Sequence, residues 1–486
     1  MESNPHIPLP QFQAGNSAAG EDEQQTRLAT APMPEAAQME GGEQPADAAE
    51  QSPAGGTEPL VPPMHLAVVA VAGLLVAGGV GAWLSYHHRP GVRFERGLAA
   101  LREGDRLREK QQVAEAAQRF EEVRKMGESL EQEVGYGPHA SLLLGAAHLR
   151  AGRPDRAVDE LQFAWDHPDT RVAASTLLGE AYYKLNDIRR AQIVLNRVVT
   201  SLDKEYAPAH RWLAVIYFDL GAMSQALYHL EQVARLDPND PRPHRTMAYI
   251  RKDFGNGAGA IEDYLESLRR DPNQVDRESI LMELAGVYHR LHQDREALEN
   301  LSKLPPSAAA LALTAECHYS LGNQKEARKF VEEALKLEPN YVPAMLTKAA
   351  MLTAAGEHAQ AAELLEAAVE RTPKEFSARY ALAQAYLRLG RKQEADEHMK
   401  VVRELKENLD LYTRLVQQSI DEPGNAQVRF QLGTLAMDLG MEGIDENWFK
   451  AALAIEPGHA EARQLLEKLR AERKPTPQTV GGPPKL

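Results

Sequence analysis

Apolar positions recur every three to four residues from about Phe94 to Arg470, in short runs broken by turn residues, which predicts a succession of amphipathic helices. The pattern also repeats on itself. An alanine followed by a large residue four positions on and a small one seven positions on marks the second helix of a pair: Ala157 (Leu161, Ala164), Ala191 (Leu195, Val198), Ala226 (Leu230, Val233) and Ala260 (Tyr264, Ser267), separated by 34, 35 and 34 residues. The series continues at Ala297, Ala327, Ala361 and Ala395, with steps of 37, 30, 34 and 34. Twelve residues before each anchor stands a small residue of the first helix: Gly145, Gly179, Ala214, Ala248, Ala285, Ala315, Ala349 and Ala383. Helices cross closely only where small side chains face each other. Bulky neighbours such as Leu178, Tyr182, Leu213, Tyr217, Leu382 and Tyr386 fill the space between pairs.

The punctuation keeps the same register. Leu220-Gly221, Leu321-Gly322, Leu389-Gly390 and Leu439-Gly440 end first helices with the residue that tolerates a left-handed cap. Pro238, Pro272, Pro339, Pro373 and Pro457 close second helices. This register resembles the tetratricopeptide repeat family from about residue 92 to 472. A weaker first copy uses Gly104, Ala116 and Phe120; a last copy uses Leu432, Gly433, Phe449, Ala452 and Pro457, with Asp445 where the family prefers alanine. Ala395 and Asp445 stand 50 residues apart, which predicts an inserted stretch around Leu409 to Gly424. Residues 458–471 read as a polar helix covering the open end. The resemblance implies an all-α fold, a right-handed α-solenoid of about ten helix-turn-helix repeats.

Ahead of the array the pattern changes twice. Residues 1–63 are rich in Ala, Gln, Glu, Pro and Gly, carry ten acidic side chains and one base, and predict a disordered tail; residues 473–486 predict another. Leu66–Leu84 is a run of 19 uncharged residues, about 28 Å as a helix, which predicts one transmembrane helix over 64–86. Gly73, Ala77 and Gly81 recur on one face of it and would suit a homodimer. Arg89, Arg93, Arg96 and Arg102 follow the run and none precedes it closely. The expectation is therefore a single-pass membrane protein with its repeats in the cytoplasm, the alternative being repeats on the exported side.

A formal net charge of -15 argues against nucleic-acid binding by phosphate neutralisation, and the single Cys317 excludes a disulfide framework or cysteine-pair zinc knuckle. No Gly-rich phosphate loop, nucleophile elbow or His-x3-His pair occurs, so no enzyme, cofactor or metal is expected; His289 and His292, three apart, read as solvated. The glycine-dense stretch 255–259 reads as a turn. In tetratricopeptide repeats certain first-helix positions face the concave groove. Around the fourth to sixth copies the resemblance places Arg211, Phe218, Arg242, Arg245, Tyr249, Lys252, His289 and Arg290 there. Arginine forks and aromatic faces would suit an acidic or C-terminal peptide, although the solvated charges could equally be balanced by Asp219, Asp253 and Glu262. The function implied is a membrane-anchored scaffold or adaptor for proteins or peptides. The alternatives are an exported, membrane-tethered assembly factor or chaperone-like adaptor and, below both, a non-catalytic subunit of an enzyme complex.

Overall fold

The computed structural model describes residues 89–472, and these are helical throughout apart from short connections. In chain order the helices are α1 Pro90–Glu109, α2 Val113–Glu131, α3 Gly137–Arg150, α4 Pro154–Trp165, α5 Pro168–Lys184, α6 Ile188–Arg197, α7 Ala207–Asp219, α8 Met223–Leu236, α9 Arg242–Asp253 and α10 Gly257–Arg270. They continue as α11 Arg277–Arg290, α12 Asp294–Leu301, α13 Ala308–Ser320, α14 Gln324–Leu337, α15 Val342–Ala354, α16 His358–Arg371, α17 Phe376–Arg388, α18 Lys392–Asp421, α19 Ala426–Leu439, α20 Ile444–Ile455 and α21 Ala460–Glu472. Successive helices pair, so the described residues form ten antiparallel pairs followed by α21. One π-helical turn, Val198–Leu202, follows α6.

The small residues sit where the helices cross. All eight second-helix anchors, from Ala157 to Ala395, are fully buried, and so are their first-helix partners Ala214, Ala248, Ala285, Ala315 and Ala383. Where the partner is glycine the space is already taken: a Cβ added at Gly145 would lie 2.6 Å from Leu161 Cγ, and one at Gly433 the same distance from Phe449 Cε1. At Gly179 it would lie 2.5 Å from Leu195 Cγ. Gly179→Leu therefore forces the α5/α6 crossing apart, at a cost of about 3 kcal/mol. A denaturant melt followed by circular dichroism should show that loss, and a melt identical to wild type would mean that the crossing lies elsewhere.

Turn chemistry explains the pair boundaries. Gly221, Gly322, Gly390 and Gly440 adopt left-handed backbone after their first helices, and Asn186 and His292 do the same at equivalent turns without being glycine. His292 thus owes its place to a turn. The second helices α8, α10, α14, α16 and α20 each stop two residues before a proline, because the residue ahead of proline is driven out of the helical region. The expected insertion takes a different form. Between Lys392 and Pro423 no glycine or proline interrupts the pattern, so the extra residues lengthen α18 to 30 residues, with Ala395, Val402, Leu405, Leu415 and Ser419 along its buried stripe.

The expected transmembrane helix, and with it the single-pass membrane location, is corrected here. Among the described residues no helix is long and apolar enough to cross a membrane. Even the longest, α18, carries Lys400, Arg403, Glu404, Lys406 and Glu407. The run 66–84 that suggested a span, with Gly73, Ala77 and Gly81, lies outside the described residues, as do the tails 1–63 and 473–486. Of the arginines read as an orientation signal, Arg93 is held on α1 by an ion pair with Glu133 and a 2.9 Å bond to the Ser129 carbonyl.

The C-terminal pairs come back onto the first half of the array. Arg429 on α19 is fully buried, and its Nε donates to the Leu220 carbonyl at 2.9 Å. Its other nitrogens donate to the carbonyls of Ser419, Glu422 and Asn425, between the end of α18 and the start of α19. Trp448 on α20 packs against Gly221, where a Cβ would meet the ring at 2.5 Å. Trp448 Nε1 donates to the Tyr412 hydroxyl at 2.9 Å. Ala454 and Ile455 join the core formed by residues 142–222.

Candidate functional site

The residues expected in the groove lie along α7, α9 and α11, as the shared register of first helices requires. Most of their charge is met from within the chain. Arg211 and Arg242 converge on buried Asp240, at 2.6 and 2.7 Å, and Arg242 also pairs with Glu109 of α1. Arg245 pairs with Asp276. Lys252 reaches Glu283 at 2.6 Å and lies 4.6 Å above the Tyr249 ring, which in turn meets Phe218 at 6.2 Å between centroids. His289 is held by Asp294, while Arg290 is exposed, with its charge acting on Asp253. The residues come together as a strip, but one whose cations are largely neutralised.

Sequence reasoning named Asp219 and Asp253 as balancing charges but missed what approaches them. Asp219 and Asp253, at the C-terminal ends of α7 and α9, are exposed to solvent yet hemmed in by protein. Burial pushes both carboxyls up, against the Tyr183 hydroxyl and Lys450 at Asp219 and against Lys252 at Asp253. Tyr183 donates to Asp219 at 2.5 Å. Lys450 of α20 and Tyr412 of α18 approach from the opposite side, Tyr412 close enough for Asp253 to act on its hydroxyl. The space between α7 and α9 on one side and α18 and α20 on the other is thus lined by aromatic rings and two under-compensated carboxylates. Asp219 and Asp253 share one position of the 34-residue register, but nothing periodic in the sequence places Tyr412 and Lys450 beside them.

Two further clusters lie outside the strip. His210 and His229 meet Nδ1 to Nδ1 at 2.8 Å, and burial, then the neighbouring His210 charge, pushes His229 down to about 4. On α11 to α13, His289 Nδ1 stands 2.5 Å from Asp294 Oδ1 and 3.6 Å from Cys317 Sγ. Burial, followed by the charges of Asp294 and Glu316, pushes the Cys317 thiol up. A thiol so held is no nucleophile at neutral pH.

Tetratricopeptide repeat models match residues 93–164 and 176–241, 308–341 and 352–419. The array is built of tetratricopeptide repeats. Its sequence is similar to the DnaJ homolog subfamily C member 7 homolog of Schizosaccharomyces pombe, 27% identical over 207 residues, covering 39% of this chain and 43% of that protein. It is also similar to Anaphase-promoting complex subunit 7 of Arabidopsis thaliana, 34% identical over 88 residues, which cover 17% of this chain and 16% of the relative. The chain thus spans less than half the length of either curated relative. Among solved structures, Pseudomonas aeruginosa pilF matches 44% of this chain and 97% of its own at 17% identity, with a TM-score of 0.35.

Proposed function

We propose that this tetratricopeptide array is a non-catalytic scaffold that binds partner proteins, and that its groove takes a segment carrying lysine, arginine or a free amino terminus beside an apolar residue. The observation that carries the charge preference is the unequal pairing across the groove. Arg211, Arg242, Arg245 and Lys252 already hold Asp240, Asp276 and Glu283 of the same chain, whereas burial disfavours the anions of Asp219 and of Asp253, the latter 3.6 Å from the already engaged Lys252. An incoming cation would relieve that cost, while an incoming carboxylate would have to displace Asp240, Asp276 or Glu283. Phe218, Tyr249 and Tyr412 supply the rings for the apolar residue and for cation–π contact. The relatives' names fit this reading, since one of them is a complex subunit.

The test is fluorescence anisotropy of the full chain with short labelled peptides of matched length, one Lys/Arg-Phe-rich and one Asp/Glu-Phe-rich. The cationic peptide should bind more tightly, weaken as salt rises, and lose about tenfold in affinity in Asp219→Asn/Asp253→Asn. Preference for the acidic peptide, abolished by Arg245→Ala, would instead establish the basic strip as the recognition surface and end this proposal.

A further inference from the structure

Three other buried carboxylates of this array meet guanidinium groups, Glu180 with Arg150, Asp263 with Arg251 and Asp240 with Arg211 and Arg242, while Asp445 accepts from the backbone amides of Gly443 and Glu446. Asp294 is held differently. It is the first residue of α12, only 6% exposed, and its ion-pair partner among the described residues is His289. Glu316, one residue before Cys317 on α13, likewise has no lysine or arginine among its described ion pairs and faces the other side of the same imidazole, 3.6 Å from Nε2. The fully buried Cys317 completes the group. Two carboxylates and a thiol therefore surround a single imidazole, in a place where burial makes anions costly. Charge balance there calls for a cation the chain does not itself supply.

We propose that His289 Nδ1, Asp294 and Cys317 bind a divalent zinc-class metal ion. The three ligand atoms lie within 4.8 Å of one another, and nitrogen, oxygen and sulfur donors together are the set that zinc accepts. In a tetrahedral site such donors stand about 3.3 to 3.7 Å apart. The His289–Cys317 separation of 3.6 Å already fits, and the 2.5 Å between His289 and Asp294 would open by rotation of the carboxylate. The far side of the ring fits as well. Nε2 points to Glu316, which in turn accepts from the Thr347 hydroxyl at 3.3 Å, the carboxylate–imidazole arrangement that orients a metal-bound histidine. On binding, the Cys317 thiol releases its proton to solvent and coordinates as thiolate, the ion's charge reversing the local disfavour for anions. Three protein donors leave one position for water. The ion would clamp α11 and the short α12 to α13 of the next repeat, beside the apolar core of Ala285, Ala297, Leu301 and Ala310 to which Cys317 belongs.

Cobalt(II) chloride titrated into reduced full-length protein, followed by zinc chloride, tests the assignment. Cys317 is the chain's single cysteine, so a thiolate-to-cobalt charge-transfer band reports on this site alone. We expect the band to saturate at one cobalt per chain and to vanish as zinc displaces it. His289→Ala, with helicity checked by circular dichroism, should weaken cobalt binding at least tenfold, and the conservative Glu316→Gln should weaken it roughly tenfold through the ring it orients. Equimolar zinc should also raise the melting temperature of wild type but not of Cys317→Ser. Absence of the band in folded wild type at excess cobalt would overturn the proposal. So would a band whose affinity His289→Ala leaves unchanged, which would mark simple thiol scavenging.

Discussion

Replacing Arg429 with alanine should free the C-terminal pairs from the first half of the array. The guanidinium is fully buried without a carboxylate, and burial holds its pKa below the ordinary arginine value. It stays because carbonyls need it: Leu220, at the turn after α7, Ser419, in the last turn of α18, and Asn425, ahead of α19, while the Glu422 carbonyl that it also meets accepts from the Asn425 backbone nitrogen as well. Truncation strands these acceptors in a dry interface and removes the bond that joins residues 209 positions apart. The cost should be about 3 kcal/mol or more. Hydrogen exchange should localise it: amides of α19 and α20 and of residues 219–223 should lose protection together, while α13 to α16 keep theirs. Trp448→Ala should loosen the same amides less, because it removes ring contact at Gly221 but leaves the carbonyls satisfied. If Arg429→Ala melts like wild type with unchanged exchange in 219–223, the return contact contributes nothing to the fold.

That contact also shows where sequence legibility stopped. The crossings were readable because each is local: Gly179 and Leu195 are 16 residues apart, and the same spacing recurs copy after copy. Arg429 reads as one more charge on a first helix, since its partner Leu220 lies in another repeat and no periodicity links them. Trp448 and Lys450 are hidden in the same way. The groove strip could be placed on the right helices by register, yet not its electrostatics, because whether Arg245 is free depends on Asp276 in the following loop. His289 was singled out with His292 by spacing along one helix. The turn takes His292 into left-handed backbone and leaves His289 facing Asp294 and Cys317, 5 and 28 residues on. The run at 66–84 lies outside the described residues, none of whose helices is long and apolar enough to cross a membrane.

Asp240 offers the clearest separation of structural from binding roles along the strip. It lies just before α9 and accepts from Arg211 at 2.6 Å, from Arg242 Nε and Nη2 at 2.7 and 2.9 Å, and from the Arg242 backbone nitrogen at 3.0 Å. Burial by itself would raise its carboxyl; the Arg242 hydrogen bond, then the charges of Arg242 and Arg211, outweigh burial and hold it below the usual carboxylate range. A folded-state pKa below the unfolded value of about 3.9 means that this stabilisation is fully present above that pH and is lost as pH falls through the folded pKa. Asp240→Ala should therefore cost about 3 kcal/mol at pH 7, at the low end for a broken buried pair because Arg211 and Arg242 are each about a quarter exposed. Near pH 2 the gap between mutant and wild type should narrow. Urea unfolding at the two pH values measures it, and a gap of equal size at both would mean that packing, not charge, is what Asp240 contributes. Arg242→Ala should then lower stability with the same pH dependence, whatever it does to peptide binding, because its guanidinium is already engaged inside the fold.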